Sequence, residues 1–236
     1  MFYYGFDLTY LIMVMPFVIL SIWASSNVNS TFKRYSKVYS RRGLTGAQAA
    51  EQVLKNNGVY NVRIERVSGN LTDHFDPKAN VIRLSDNVYG NTSAAAIGVS
   101  CHEAGHAVQY AQDYAPIKLR AAIIPVTNIG SMLAMPLIVL GLVLNFMTEF
   151  SYTFVYIGIG CFGLSLLFQL ITLPVEFNAS HRAVSAISGA GLLDAQELDG
   201  AKKTLRAAAL TYVAAAAVSL MQLLRLILIF GGRRDD

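Results

Sequence analysis

Residues 121–144 read AAIIPVTNIGSMLAMPLIVLGLVL, without one Asp, Glu, Lys or Arg. A helix needs about 20 apolar residues to cross the hydrocarbon core of a bilayer, and this stretch has them. Working outward, residues 150–173 form a second uncharged run. Residues 207–230 form a third, interrupted only by Arg225, and residues 8–26 a fourth near the N-terminus. Composition agrees, with 54% hydrophobic and 14% charged residues and a mean hydropathy of +0.43, well outside the range of soluble domains. The fold class read from this pattern is a mainly α, polytopic membrane protein. It has about four transmembrane helices, at 8–26, 121–144, 150–173 and 207–230, and a small cytoplasmic α+β portion at 27–120. Residues 1–236 are read as a single membrane-embedded domain.

Charge order gives an orientation. Residues 1–11 carry no Lys or Arg, whereas Lys33, Arg34, Lys37, Arg41 and Arg42 follow the first apolar run. That is the reverse of a cleavable signal peptide. By the positive-inside rule, residues 27–120 are cytoplasmic, the N-terminus and the turn Asn145 to Glu149 lie outside, and Arg182, Lys202, Lys203 and Arg206 return to the cytoplasm. A fourth crossing places Arg233 and Arg234 outside, against the rule. The expected location is an inner or plasma membrane, crossed several times, with the soluble portion on the cytoplasmic side.

The 19 basic residues against 15 acidic ones form no basic stripe interleaved with aromatics away from the membrane flanks, so a nucleic-acid partner is excluded. Cys101 and Cys161 fit neither a disulfide framework nor a Cys-x-x-Cys site. A transporter needs more ionisable groups than these spans carry, which are few and chiefly Arg225.

The soluble portion carries the chemistry. Thr45 followed by Ala47 to Asn57, with Gly58 after it, predicts a short helix. Tyr60 to Val67 and Val81 to Leu84 predict two strands, forming a hairpin or small sheet. A helix is then predicted over residues 92–113, with N-cap candidates at Asn91, Thr92 and Ser93. In its middle lies His102-Glu103-Ala104-Gly105-His106, an H-E-x-x-H sequence. On a helix the two imidazoles stand about 40° apart on one face, where both can close on one Zn²⁺. Glu103 neighbours them as the group that takes the proton of a water activated by the metal.

A third ligand is needed, with one position left for water. Glu176 is the best candidate, because a carboxylate at the cytoplasmic end of an apolar span is costly unless paired or solvated. Two crossings also bring it back to the side of the histidines. Pro174 suits the first turn of a new helical stretch. His181 is the rival; it lies about 140° around from Glu176 on a helix. Asp113 and Glu149 are poorer candidates. His74, in a turn-like setting of Asp73, Asp76 and Pro77, reads as a polar loop residue.

The run Ser100 to Ala107, Glu176 to Ser180, Leu71 to Pro77 and Ala207 to Ala215 together resemble the YugP-type neutral zinc metallopeptidases of bacterial membranes. More distantly they resemble HtpX-type membrane proteases and CAAX prenyl endopeptidases. The resemblance covers nearly the whole chain and implies that Glu176 is the third zinc ligand. In the distant relatives an Asp stands four residues after that Glu, where this chain has Ser180, so the group that orients a zinc-bound imidazole differs here.

These readings imply a zinc-dependent membrane endopeptidase. Zn²⁺ is held by His102, His106 and Glu176, and Glu103 is the catalytic base. Arg182 or His181 is a candidate to stabilise the oxyanion. The partners implied are a polypeptide substrate, the lipid bilayer and other membrane proteins. The alternative is a non-catalytic, zinc-dependent membrane scaffold or assembly factor, in which Glu103 has no structural purpose. An added strand on the edge of the Tyr60 to Leu84 hairpin is the expected seat of the substrate.

Overall fold

The computed structural model describes residues 2–3, 6–144 and 151–231. The turn expected at Asn145 to Glu149 and the charged end from Arg233 lie outside them. The described elements are β1 (Phe2–Tyr3), β2 (Phe6–Asp7), α1 (Leu8–Met13), α2 (Met15–Tyr35), α3 (Gly46–Asn56), β3 (Arg63–Val67), β4 (His74–Asp76), β5 (Val81–Ser85), α4 (Asp86–Tyr89), α5 (Ala94–Ala111), α6 (Ala115–Leu144), α7 (Ser151–Gly189) and α8 (Ala195–Gly231). They fall into two compact units. One comprises Met1–Trp23, Leu119–Leu173 and Tyr212–Asp236; the other comprises Ala24–Lys118 and Pro174–Thr211.

Within the first unit, close helix packing follows from glycine. A Cβ on Gly158 would stand 2.8 Å from the Ala134 carbonyl oxygen, and one on Gly130 2.8 Å from Leu164 Cδ1. The Ser131 and Ser165 hydroxyls share a 2.7 Å hydrogen bond. Small residues that let backbones approach, with hydroxyls bonding between helices, are the means of association open to helices in lipid. Met132, Val143 and Leu228 are more than half exposed, as side chains solvated by acyl chains would be. Arg225, the one Asp, Glu, Lys or Arg within the expected spans, pairs with Asp7.

Three helices, α6, α7 and α8, are long and apolar enough to cross a membrane. The first apolar segment is not among them. Pro16 has no N–H to donate back to Ile12, so α1 ends at Met13 and α2 starts at Met15 with the proline in its first turn. α2 then runs beyond the apolar stretch through Lys33 and Arg34 to Tyr35. A second expectation also changes: Pro174 does not open a new helix but lies inside the 39-residue α7.

In the second unit, α3 begins with the Thr45–Gln48 capping box, in which each side chain satisfies the other residue's backbone N–H. The sheet has the order β3-β5-β4. β3 and β5 are parallel, with Ile64 opposite Ile82, and β4 is antiparallel to β5, with Phe75 opposite Ile82. Of the expected hairpin or small sheet, the structure has the sheet, with three strands. Its central strand is β5, whose Val81, Ile82, Leu84 and Ser85 are fully buried. Burial on both faces is the signature of a strand covered on both sides. Arg83 thus sits in the middle of the sheet and not on an edge.

The buried axis of this unit is α5, capped by the Ser93 hydroxyl, which accepts from Ala96 N–H. Its alanines and glycines admit neighbours at short range. A Cβ on Gly98 would meet Ala201 Cβ at 3.2 Å, and one on Gly105 would meet the Ala179 carbonyl oxygen at 2.8 Å. Around α5 the core gathers Phe32, Val53, Leu54, Ile82, Leu84, Ile97, Cys101, Ile187, Leu192 and Leu205.

Candidate metal centre

His102 and His106 stand one turn apart on α5, and Glu176 comes to them from α7. His102 Nε2 and His106 Nε2 are 3.1 Å apart. Glu176 Oε2 lies 3.2 Å from the first and 3.5 Å from the second. These are the three groups found together as candidate metal ligands among the described residues. The spacing is itself a test of fit. Donors about 2.0–2.1 Å from a tetrahedral Zn²⁺ stand about 3.3–3.4 Å from one another, and the three observed separations bracket that value. The donor set of two imidazoles and one carboxylate is also zinc chemistry. Glu176 is 2% exposed, which for an ionised carboxylate requires partners of opposite or positive character.

The approach of α7 explains Gly105, the second residue of the x-x pair. Any larger residue there would strike the Ala179 backbone one turn beyond Glu176.

Each imidazole is held at its far nitrogen. His102 Nδ1 is 3.1 Å from Ser180 Oγ, so the hydroxyl one turn after Glu176 takes the orienting position. His106 Nδ1 is 3.0 Å from Gln109 Oε1. Gln109 is completely buried, and its Nε2 donates to the Val175 carbonyl and to Asn178 Oδ1, both at 2.9 Å. Sequence reasoning missed Gln109. The available signal was its position three residues after His106, on the same side of the helix.

Burial opposes charge on the His106 imidazole, but hydrogen bonding to Glu176, the Glu176 and Glu103 charges and the Gln109 bond together raise it above its ordinary value. Glu103 is 8% exposed and makes no hydrogen bond to another described residue. Asp73 is close enough to be affected by it. Burial, assisted by the Glu103 charge, pushes the Asp73 carboxyl up, although the Ser85 N–H and hydroxyl donate to it. The loop that carries Asp73 leads into β4, and Phe75 of β4 packs edge-on against Tyr110 of α5 at 6.1 Å.

The other sequence candidates lie elsewhere. His181 is exposed. Arg182 donates to Asn178 Oδ1 and Gln112 Oε1 and lies over the Tyr114 ring. Asp113 pairs with Lys118, and Glu149 is outside the described residues. His74 is exposed and bonded to the Thr72 carbonyl. Cys101 faces the apolar core with its thiol pushed up to about 12 by burial, so it supplies no thiolate.

No solved structure matches the chain. The chain is 48% identical over 217 residues, 92% of its length and 94% of the relative's, to a Bacillus subtilis protein named "Putative membrane protease YugP". The family described as "Putative neutral zinc metallopeptidase" matches residues 10–231. The chain therefore belongs to that family of zinc metallopeptidases.

Proposed function

We propose that this chain is a zinc-dependent membrane endopeptidase in which His102, His106 and Glu176 hold the metal and Glu103 is the catalytic base. The observation that carries the reading is the convergence of three donor atoms at tetrahedral spacing, with both imidazoles restrained at Nδ1. When bound, Zn²⁺ supplies Lewis acidity, which acidifies water and polarises the scissile carbonyl. Glu103 takes the water's proton and delivers it to the leaving amine. Among the described residues it makes no hydrogen bond, which leaves both oxygens available for that transfer. Gly105 lets α7 come close enough for Glu176 to join the histidines.

The substrate is a membrane or membrane-proximal polypeptide, held extended along the free edge of β4. This strand packs on the zinc-binding helix through Phe75 and Tyr110, and an edge strand offers regular main-chain hydrogen bonds without demanding one sequence. The protein works as one membrane-embedded domain in the bacterial inner membrane. Residues 8–26 add a kinked fourth crossing to the three long helices, and the site faces the cytoplasm.

The test is metal analysis together with cleavage of a membrane-protein substrate. Wild type should hold about one zinc per chain and cleave. Glu103→Ala should keep the zinc and lose cleavage, whereas His102→Ala should lose both. A metal-loaded Glu103→Ala variant with full activity overturns the mechanism.

A further inference from the structure

We infer that Gln109 is a positioning residue of the metal centre: it locks His106 as the Nδ1–H tautomer and so aims an Nε2 lone pair at the ligand cluster. This rests on the zinc site proposed above.

The argument needs only the direction of hydrogen bonds. The Val175 carbonyl can accept and never donate, so the group 2.9 Å from it must be the amide nitrogen of Gln109. Asn178 supplies an independent check. Arg182 Nε can only donate, and it donates to Asn178 Oδ1 at 2.7 Å. That fixes the Asn178 amide with its oxygen towards Gln109, where it again demands a donor. Both partners therefore place Gln109 Nε2 on the α7 side and turn Oε1 towards His106 Nδ1, 3.0 Å away. An oxygen there can only accept, so Nδ1 carries the hydrogen. In the neutral ring Nε2 is then the unprotonated nitrogen, and it points at His102 Nε2 and Glu176 Oε2.

Val175 directly precedes Glu176. The same amide that sets the tautomer of the second histidine therefore fastens the peptide carrying the third ligand. Its complete burial makes any other orientation costly, since a reversed amide sets oxygen against oxygen at two places without water to relieve it. His102 has no such lock. Its Nδ1 faces the Ser180 hydroxyl, which can donate or accept, so either tautomer of His102 is satisfied. One imidazole is preset, and the other adjusts when metal arrives.

The experiment uses full-length protein in lipid nanodiscs, labelled with ¹⁵N-histidine, stripped of metal and measured at a pH high enough to make both imidazoles neutral. Imidazole ¹⁵N shifts report which nitrogen holds the hydrogen. Wild-type His106 should be the Nδ1–H form before any zinc is added; an Nε2–H form overturns the inference without reference to a variant. In Gln109→Met, which keeps volume but offers no amide, His106 should populate both tautomers. Zinc affinity by chelator competition should fall about 10–100-fold. A folded Gln109→Met variant with unchanged tautomer and zinc affinity also overturns the inference. Wild type that binds no zinc refutes the metal site but leaves the tautomer measurement to stand by itself.

Discussion

Replacing Gly105 by alanine tests whether the closeness of α5 and α7 is what assembles the three ligands. The new methyl would stand 2.8 Å from the Ala179 carbonyl oxygen and 3.4 Å from the Ala179 carbonyl carbon and Cα. All three are backbone atoms, so no side chain can swing aside. Reaching ordinary contact at 3.4 Å requires the helices to part locally by about 0.6 Å, the difference between 3.4 and 2.8 Å. Glu176 lies three residues before Ala179 on the same helix and moves with it. Zinc–ligand distances tolerate only about ±0.2 Å, so the carboxylate falls out of range of a metal held by the two histidines.

Stability should change little. Overpacking costs about 1–3 kcal/mol, while alanine in place of glycine within a helix returns about 1 kcal/mol. The prediction is thus a dissociated pair of effects: a small change in thermal midpoint and a loss of zinc affinity of about tenfold or more. Chelator competition and differential scanning fluorimetry on the same preparation measure both. A Gly105→Ala protein that binds zinc as tightly as wild type, with the same cobalt-substituted visible spectrum, refutes the reasoning.

Other expectations follow from the same geometry. Glu176→Ala should lose zinc in metal analysis, whereas His181→Ala, altering an exposed side chain, should retain it. Asp73→Asn can keep both bonds to Ser85, accepting from its N–H and donating to its hydroxyl. Because the Asp73 carboxyl is raised above 3.8 in the folded protein, its contribution is favourable at low pH and is lost as pH rises through the folded value. The variant should therefore melt at the same or a higher temperature at pH 7, and a melting series from about pH 4 upward should show a smaller decline than wild type. For orientation, in a background lacking Cys101 and Cys161, a cysteine at Ser36 should resist an impermeant reagent in intact cells and one at Asn145 should react. The opposite pattern inverts the proposed topology.

The pentad and Glu176 were legible in the sequence for local reasons. Four-residue spacing on a helix needs no tertiary information, and a lone carboxylate at the end of an apolar run is conspicuous by its cost. The elements that were misread depend on neighbours. Val81 to Leu84 looks like one arm of a hairpin until burial on both sides makes β5 central, with β4, a three-residue strand, beside it. Pro174 removes one hydrogen bond from α7. Whether a helix absorbs that loss depends on its packing, which the dipeptide does not encode. Pro16, by contrast, divides its segment. Gln109 was invisible for a different reason: a glutamine on a helix is ordinarily solvated, and only its contacts with Val175 and Asn178 reveal its use.

The unit that contains the site is discontinuous in the chain: Ala24–Lys118 supplies both histidines, and Pro174–Thr211 supplies Glu176. This has a consequence for the order of events on the ribosome. His102 and Glu176 are 74 residues apart, and at about 5–20 residues per second the histidines wait several seconds for their carboxylate. During that time the residues between, including two apolar segments, must leave the ribosome. A nascent chain stopped before Pro174 carries two imidazoles and a base but no third ligand. The three-donor centre therefore cannot be complete until most of the chain's apolar sequence has been made, so under the proposed function a half-inserted chain has no finished site with which to act on its surroundings.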